Sequence, residues 1–186
     1  LLVTGISSGV GVAALQTAKA LGAKVIGTSG SQEKLDKLKG MGLDLGIRTR
    51  SGDFAKAVMD ATGGKGANLV VNNVGGSVFP ETLRALAYEG RHATIGYVDG
   101  VLHADLDIET LHTKRLTLFG VSNRLRTPEQ RAVTVRGFAA DVLPFIAAGK
   151  IKPLVDRVFP FAELPAAKAY MESNAQVGKI AVRIGS

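Results

Sequence analysis

The stretch that most narrows the fold is the opening one, "LLVTGISSGVGVAALQTAKALGAKVIGTS", residues 1–29. An apolar strand, "LLVTG", runs into a turn made of glycine and serine. A helix follows, with Val10, Ala13, Ala14, Thr17, Ala18 and Leu21 at helical spacing. Those residues are mostly small, so the helix can lie close to a sheet. The strand "AKVIGTS" comes next. A strand that turns tightly into a helix and returns as a strand is the repeating unit of a parallel α/β sheet. It also leaves free N–H groups and the positive end of a helix dipole at the turn.

The alternation continues. "SQEKLDKLKGMG" predicts a helix capped by Ser31, with Lys34 in its first turns and Gly40 or Gly42 near its end. "LDLGIR" reads as a third strand, residues 53–61 as a helix ended by "GGKG", and "ANLVVNNV" as a fourth strand. A helix around Pro80–Leu86, a fifth strand "GRHATIGY" and a sixth "KRLTLFGV" complete the pattern. Residues 128–149 read as one long helix ended by Gly149. The strand "LVDRVFPF", a helix over 162–173 and the strand "GKIAVRIG" come last. The expected fold is α/β: a Rossmann-type, doubly wound, parallel six-stranded sheet with a C-terminal strand–helix–strand tail. Residues 1–150 are expected to form this Rossmann-type domain. Residues 151–186 are expected to complete a catalytic domain N-terminal to it, because the six-stranded sheet does not need them. A first residue that is not Met, already inside an apolar strand, points to a fragment or excised domain.

Composition removes several classes. With 46% hydrophobic and 21% charged residues, the chain of 186 residues is globular rather than disordered. No apolar run approaches the ~20 residues a membrane helix needs. The absence of Cys rules out disulfides and thiolate metal sites within the chain, and suits a cytoplasmic setting. His92, His103 and His112 lack metal-ligand spacing. The net charge of +7 could attract nucleic acid, but the basic residues are scattered and aromatics are only 5%. "ISSGV" lacks the flanking Gly-x-Ser-x-Gly of a nucleophile elbow.

The glycine turn suits a dinucleotide. Gly9 and Gly11 allow the backbone to approach a pyrophosphate, and the Ser7 and Ser8 hydroxyls can donate to it. NAD-binding folds end the second strand with an acid that holds the ribose 2′-OH. Here "GTSGSQEK" offers Thr28, Ser29, Gly30 and Ser31, with no acid before Glu33. A carboxylate would repel a 2′-phosphate; small hydroxyl residues and Lys34 would accept one. NADPH is therefore expected rather than NADH, which makes residues 1–150 an expected NADP-binding domain. "NNVGG" at 72–76 ends the fourth strand on the binding edge, so contact with the nucleotide is expected there, with loop-holding by Asn72 and Asn73 as the alternative.

"TGISSGVG" and "NNVG" also fit the short-chain dehydrogenases, which need a Tyr-x-x-x-Lys pair for acid–base chemistry. Four residues after Tyr88, Tyr97 and Tyr170 stand His92, Val101 and Asn174. The short-chain chemistry is absent. Instead "VTGISSGVGVAALQTAKALGAKVIGTSGSQEKLDKLKGMGLD", "LRALAYEGRHATIGY", "KRLTLFGV" and "AYMESNAQVGKIAVRI", in that order, resemble the coenzyme-binding half of a medium-chain dehydrogenase/reductase. The branch resembled is that of the zinc-independent, zeta-crystallin-like quinone oxidoreductases. Its loop runs Ala-x-x-Gly-x-x-Gly; here Gly5, Ser8 and Gly11 take those positions.

The resemblance implies roles. Ser7, Ser8, Gly9 and Val10 would line the pyrophosphate, and Gly30 and Lys34 would meet the 2′-phosphate. Thr49 stands where the family carries a Tyr beside the adenosine, with Arg48 and Arg50 able to compensate electrostatically. Gly96, Tyr97 and Val98 would follow the cofactor towards the nicotinamide, which Val121, Ser122 and Asn123 would face. The implied reaction is hydride transfer from NADPH to a quinone or other conjugated carbonyl. No catalytic residue is implied in this half, so the chain alone is expected to bind coenzyme but turn over poorly. A homodimer through the sixth strand is also implied. Two alternatives stay open: an enoyl-thioester reductase of the same superfamily, and a non-catalytic nucleotide- or RNA-binding protein.

Overall fold

The computed structural model describes residues 1–185. Six strands form one parallel sheet: β1 Leu2–Val3, β2 Ile26–Ser29, β3 Leu45–Arg48, β4 Ala67–Asn72, β5 Leu86–Thr94 and β6 Thr117–Gly120. Their spatial order is β3-β2-β1-β4-β5-β6. The chain winds outward from β1 in one direction and then from β4 in the other. That reversal opens a crevice between the C-terminal ends of β1 and β4. The expected doubly wound sheet is the observed one.

Alternation along β1 sends side chains to opposite faces. Leu2 joins Ile26, Phe54, Val58, Val70, Leu83 and Leu86 in one core. Val3 joins Ile6, Val12, Leu15, Val25, Leu35 and Leu38 in the other. The helices α1 (Gly9–Ala20) and α2 (Gln32–Lys39) cover the second core, while α3 (Ala55–Ala61) and α4 (Phe79–Arg84) cover the first. Ser8 and Ser31 cap α1 and α2, their hydroxyls accepting from Gly11 N and Lys34 N.

Three elements depart from expectation. A short helix, α5 (Ile108–Thr113), precedes β6, N-capped by the Asp107 carboxylate, which accepts from Thr110 N at 2.9 Å. The long helix expected over 128–149 is two, α6 (Pro128–Asp141) and α7 (Leu143–Ala147). Pro144 has no N–H to continue the ladder, so the chain restarts at Val142. The fifth strand starts earlier, at Leu86, and passes through a left-handed Glu89 (φ 56°).

The tail consists of β7 (Val155–Pro160), α8 (Leu164–Glu172) and β8 (Lys179–Arg183), with β7 and β8 paired in parallel as a separate two-stranded sheet. It docks on α1. Gln16 exchanges two 2.8 Å hydrogen bonds with the Lys152 backbone. Val177 is buried in the core beneath α1. Ser8 and Gly178 form an isolated parallel bridge, in which Gly178 N donates to Ser7 O at 2.9 Å. By contrast, α5, α6 and α7 bury no residue, and Val133, Val135 and Phe138 of α6 are exposed. Among the described residues, no helix is long and apolar enough to cross a membrane.

Candidate functional site

The loop after β1 is fixed from beneath by buried polar groups. Thr4 Oγ1 donates to Asn72 Oδ1 (2.9 Å) and accepts from Asn73 N (3.0 Å). Asn72 Oδ1 also accepts from Val74 N and Gly75 N, both at 3.1 Å, and its amide donates to Gly75 O at 3.0 Å. One fully buried side chain therefore shapes both the β1 and β4 turns. Asn73 Nδ2 reaches across the crevice to Ser8 Oγ at 3.1 Å. Both asparagines hold loops, the alternative to the nucleotide contact expected of this stretch.

The glycines do different work. Gly5 is left-handed (φ 63°), which the turn requires. A Cβ on Gly11 would lie 2.4 Å from Ile6 O, so Gly11 lets α1 approach its own loop. Over Gly9 passes the side chain of Lys179, whose Cε would be 2.2 Å from a Cβ there. The close approach expected of a ligand at Gly9 is thus shared with a lysine from the tail.

A cleft of about 980 Å³ runs along this edge of the sheet. It brings together Ser7, Ser8, Gly9, Gly30, Lys34, Thr49 and Val98, seven of the residues singled out from sequence. Tyr97 lines an adjoining cavity of about 340 Å³, with Asn72, Gly76, Phe79, Thr94, Leu102 and His103. Gly96 packs on Asn73, a Cβ there falling 2.9 Å from Asn73 Oδ1. Val10 is 46% exposed in the first turn of α1 and lines neither space. Val121, Ser122 and Asn123 are also exposed and line neither. Ser122 and Asn123 instead hold the 122–131 turn, accepting from Arg124 N and Arg126 Nη1.

Two expected ligand groups are already engaged. Lys34 Nζ donates to Asn174 O at 2.5 Å and is 3.4 Å from Asn174 Oδ1. Burial pulls its ammonium below the ordinary lysine value, against the opposing attraction of Asp156. Thr49 Oγ1 lies 2.6 Å from Asp53 Oδ1 and 2.5 Å from Ser51 O, and accepts from Ser51 N.

Sequence reasoning did not single out Asp99 or the tail's contribution. The Asp99 carboxylate accepts from Ser77 N, Ser77 Oγ and Val101 N. Burial raises its pKa, but those hydrogen bonds outweigh burial and hold it below the ordinary value. Met171, Asn174, Gln176 and Lys179 close the cleft from the tail. No local sequence signal marks them, because their place depends on how the tail docks.

The Gly9–Gly11 cradle, the α1 N-terminus and the open cleft fit a dinucleotide. A zinc ion is not fitted: the chain has no Cys, and no group of three or more His, Asp or Glu among the described residues is placed to hold a metal. His92 lies inside the core, edge-on to Phe79 at 4.9 Å.

Residues 9–135 match the zinc-binding dehydrogenase family, and so cover more than half of the chain. The chain belongs to the zinc-binding dehydrogenase family. Its similarity to acryloyl-coenzyme A reductase of Sulfurisphaera tokodaii is 33% identity over 98% of the chain and 50% of that protein. Quinone oxidoreductase-like protein 2 of Bos taurus is 30% identical over 96% of the chain and 51% of its own length. Among solved structures, mycobacterial Rv1454c complexed with NADPH superposes with a TM-score of 0.82 at 28% identity, covering 98% of this chain and 57% of that one. The chain therefore spans about half the length of the curated relatives it matches. These relatives support the expected coenzyme-binding half of a medium-chain dehydrogenase/reductase, and its nicotinamide-nucleotide-binding fold. They do not separate the quinone branch from the enoyl reductases.

Proposed function

We propose that this zinc-binding dehydrogenase family member is the NADPH-binding part of an oxidoreductase whose hydride acceptor is a quinone or another conjugated carbonyl, such as an enoyl thioester. One observation carries the coenzyme reading: the cleft at the β1/β4 reversal is bordered, at the end of β2, by Ser29, Gly30 and Ser31 rather than an acid. A carboxylate there would favour the unphosphorylated ribose.

Bound NADPH would supply the hydride. Ser7, Ser8, Gly9 and the α1 N-terminus would hold its pyrophosphate, with the Lys179 ammonium alongside. The adjoining cavity, with Phe79, Tyr97 and Leu102 on its wall, would shelter the reacting end from water. Quinones and enones are electrophilic at carbon, so this reading routes no step through a metal. The names of the two curated relatives support acceptors of this kind, one a quinone type and the other an enoyl thioester. The relatives' length supports a second domain that completes the substrate cleft, to which residues 151–186 would contribute while remaining docked on α1.

Fluorescence titration of the chain with NADPH and NADH tests the coenzyme assignment. NADPH is expected to bind at least about tenfold more tightly, the worth of a charge-assisted phosphate contact. Equal or preferred binding of NADH would overturn it. Steady-state turnover of a 1,4-quinone against an enoyl thioester, in the protein carrying both domains, chooses between the acceptors.

A further inference from the structure

Across the end of β2 lies an arginine from beyond β3, Arg50, that neither the glycine loop nor the fold requires. Gly30 follows Ser29, and its backbone angle is not left-handed, so no turn demands glycine there. The missing side chain serves another purpose. A Cβ on Gly30 would lie 3.0 Å from both Cγ and Nε of Arg50 and 3.5 Å from Cζ. The Arg50 side chain thus lies flat across Gly30, in the space where an NAD-type fold carries its carboxylate.

Arg50 also sits at a seam. It lines the main cleft and a smaller cavity of about 300 Å³ with Thr49, Ser51 and Asp53. No carboxylate among the described residues is within ion-pair distance of its guanidinium. Asp53, the acid in that cavity, accepts from Thr49 instead. The nearby hydroxyls have other tasks: Ser29 Oγ meets Ser7 Oγ at 3.3 Å, and Ser31 Oγ caps α2. Lys34 is drawn towards the tail by Asn174.

We infer that Arg50, not Lys34, recognises the 2′-phosphate of the coenzyme. A planar guanidinium can donate two parallel hydrogen bonds to a phosphate, which an ammonium on a flexible stem cannot. Gly30 is the glycine that lets it lie there. Lys34 serves the architecture, fastening the start of α2 to the tail. This inference rests on the NADPH reading above and names the residue behind it.

Calorimetry on the chain with adenosine 2′,5′-bisphosphate and with ADP isolates the 2′-phosphate. Arg50→Ala should weaken the bisphosphate by about tenfold or more and leave ADP within about twofold. Arg50→Lys should recover only part of the loss. Gly30→Ala keeps the charge but displaces the guanidinium, and should show the same selective loss. Lys34→Ala should keep the preference for the bisphosphate. Loss of that preference in Lys34→Ala, or its retention in Arg50→Ala, would overturn the inference. If the wild-type chain prefers NADPH while Arg50→Ala changes nothing, only this inference falls. If it shows no preference for NADPH over NADH, the coenzyme reading falls with it.

Discussion

His92 shows how a residue unrelated to the site sets a condition on the whole. Its ring is fully buried in β5, and Nε2 has no hydrogen-bond partner among the described residues. Burial lowers its pKa from 6.5 to about 4. Above pH 6.5 the ring is neutral whether the chain is folded or not, so it contributes no pH dependence. As the pH falls through 6.5, the unfolded chain takes up a proton that the folded chain refuses, and stability is lost until about pH 4. The expected loss attributable to His92 is about 2 kcal/mol between pH 7.5 and 5. Urea unfolding at the two pH values measures it, and His92→Leu should remove that share of the slope. An equal slope in both proteins would show that other groups carry it. At the same scale, much of the lining of the candidate cleft was legible in the sequence. Ser7, Ser8, Gly9, Gly30, Lys34 and Thr49 all reach the cleft, because strand–turn–helix geometry fixes them locally. What Lys34 and Gly9 touch was not legible, since Asn174 and Lys179 come from far along the chain.

Among the elements, the strands announced themselves because each is an apolar run bounded by glycine or polar residues. Helix α5 did not, for its six residues span less than two turns and give no periodicity. The α6–α7 break was legible in principle, in Pro144. The tail's strands were recognised, but not their seat on α1, which depends on Val177 and Gly178 meeting residues at the other end of the sequence. Gly178 makes that seat testable. Its φ is 80°, and a Cβ would fall 2.4 Å from Leu154 O. Gly178→Ala is therefore expected to cost about 2 kcal/mol or more and to loosen the tail. Hydrogen exchange should speed up across 150–183 while β1, β2 and β4 stay protected. Unchanged exchange in the tail would show that the Ser8–Gly178 bridge does not hold it.

At the scale of the whole molecule, the sheet ends in an open edge. Among the described residues, β6 pairs only with β5, and an unpaired strand edge invites association. Leu118 and Phe119 are half-buried there, with Val121 exposed beside them. A homodimer that joins β6 to its copy is the expected assembly, with a dimeric mass in sedimentation. Phe119→Glu, which would set like charges near one another across such a seam, should shift the mass to that of a monomer. A monomeric wild-type chain would remove the proposal. The bridge between Ser8 and Gly178 has a consequence in time as well as in space. On the ribosome, the loop after β1 is made before the six-stranded sheet is complete, and the residue that braces it only after β6. A nascent chain thus carries an unbraced loop until Gly178 has been translated, and a ribosome stalled before that point would display the loop without its brace.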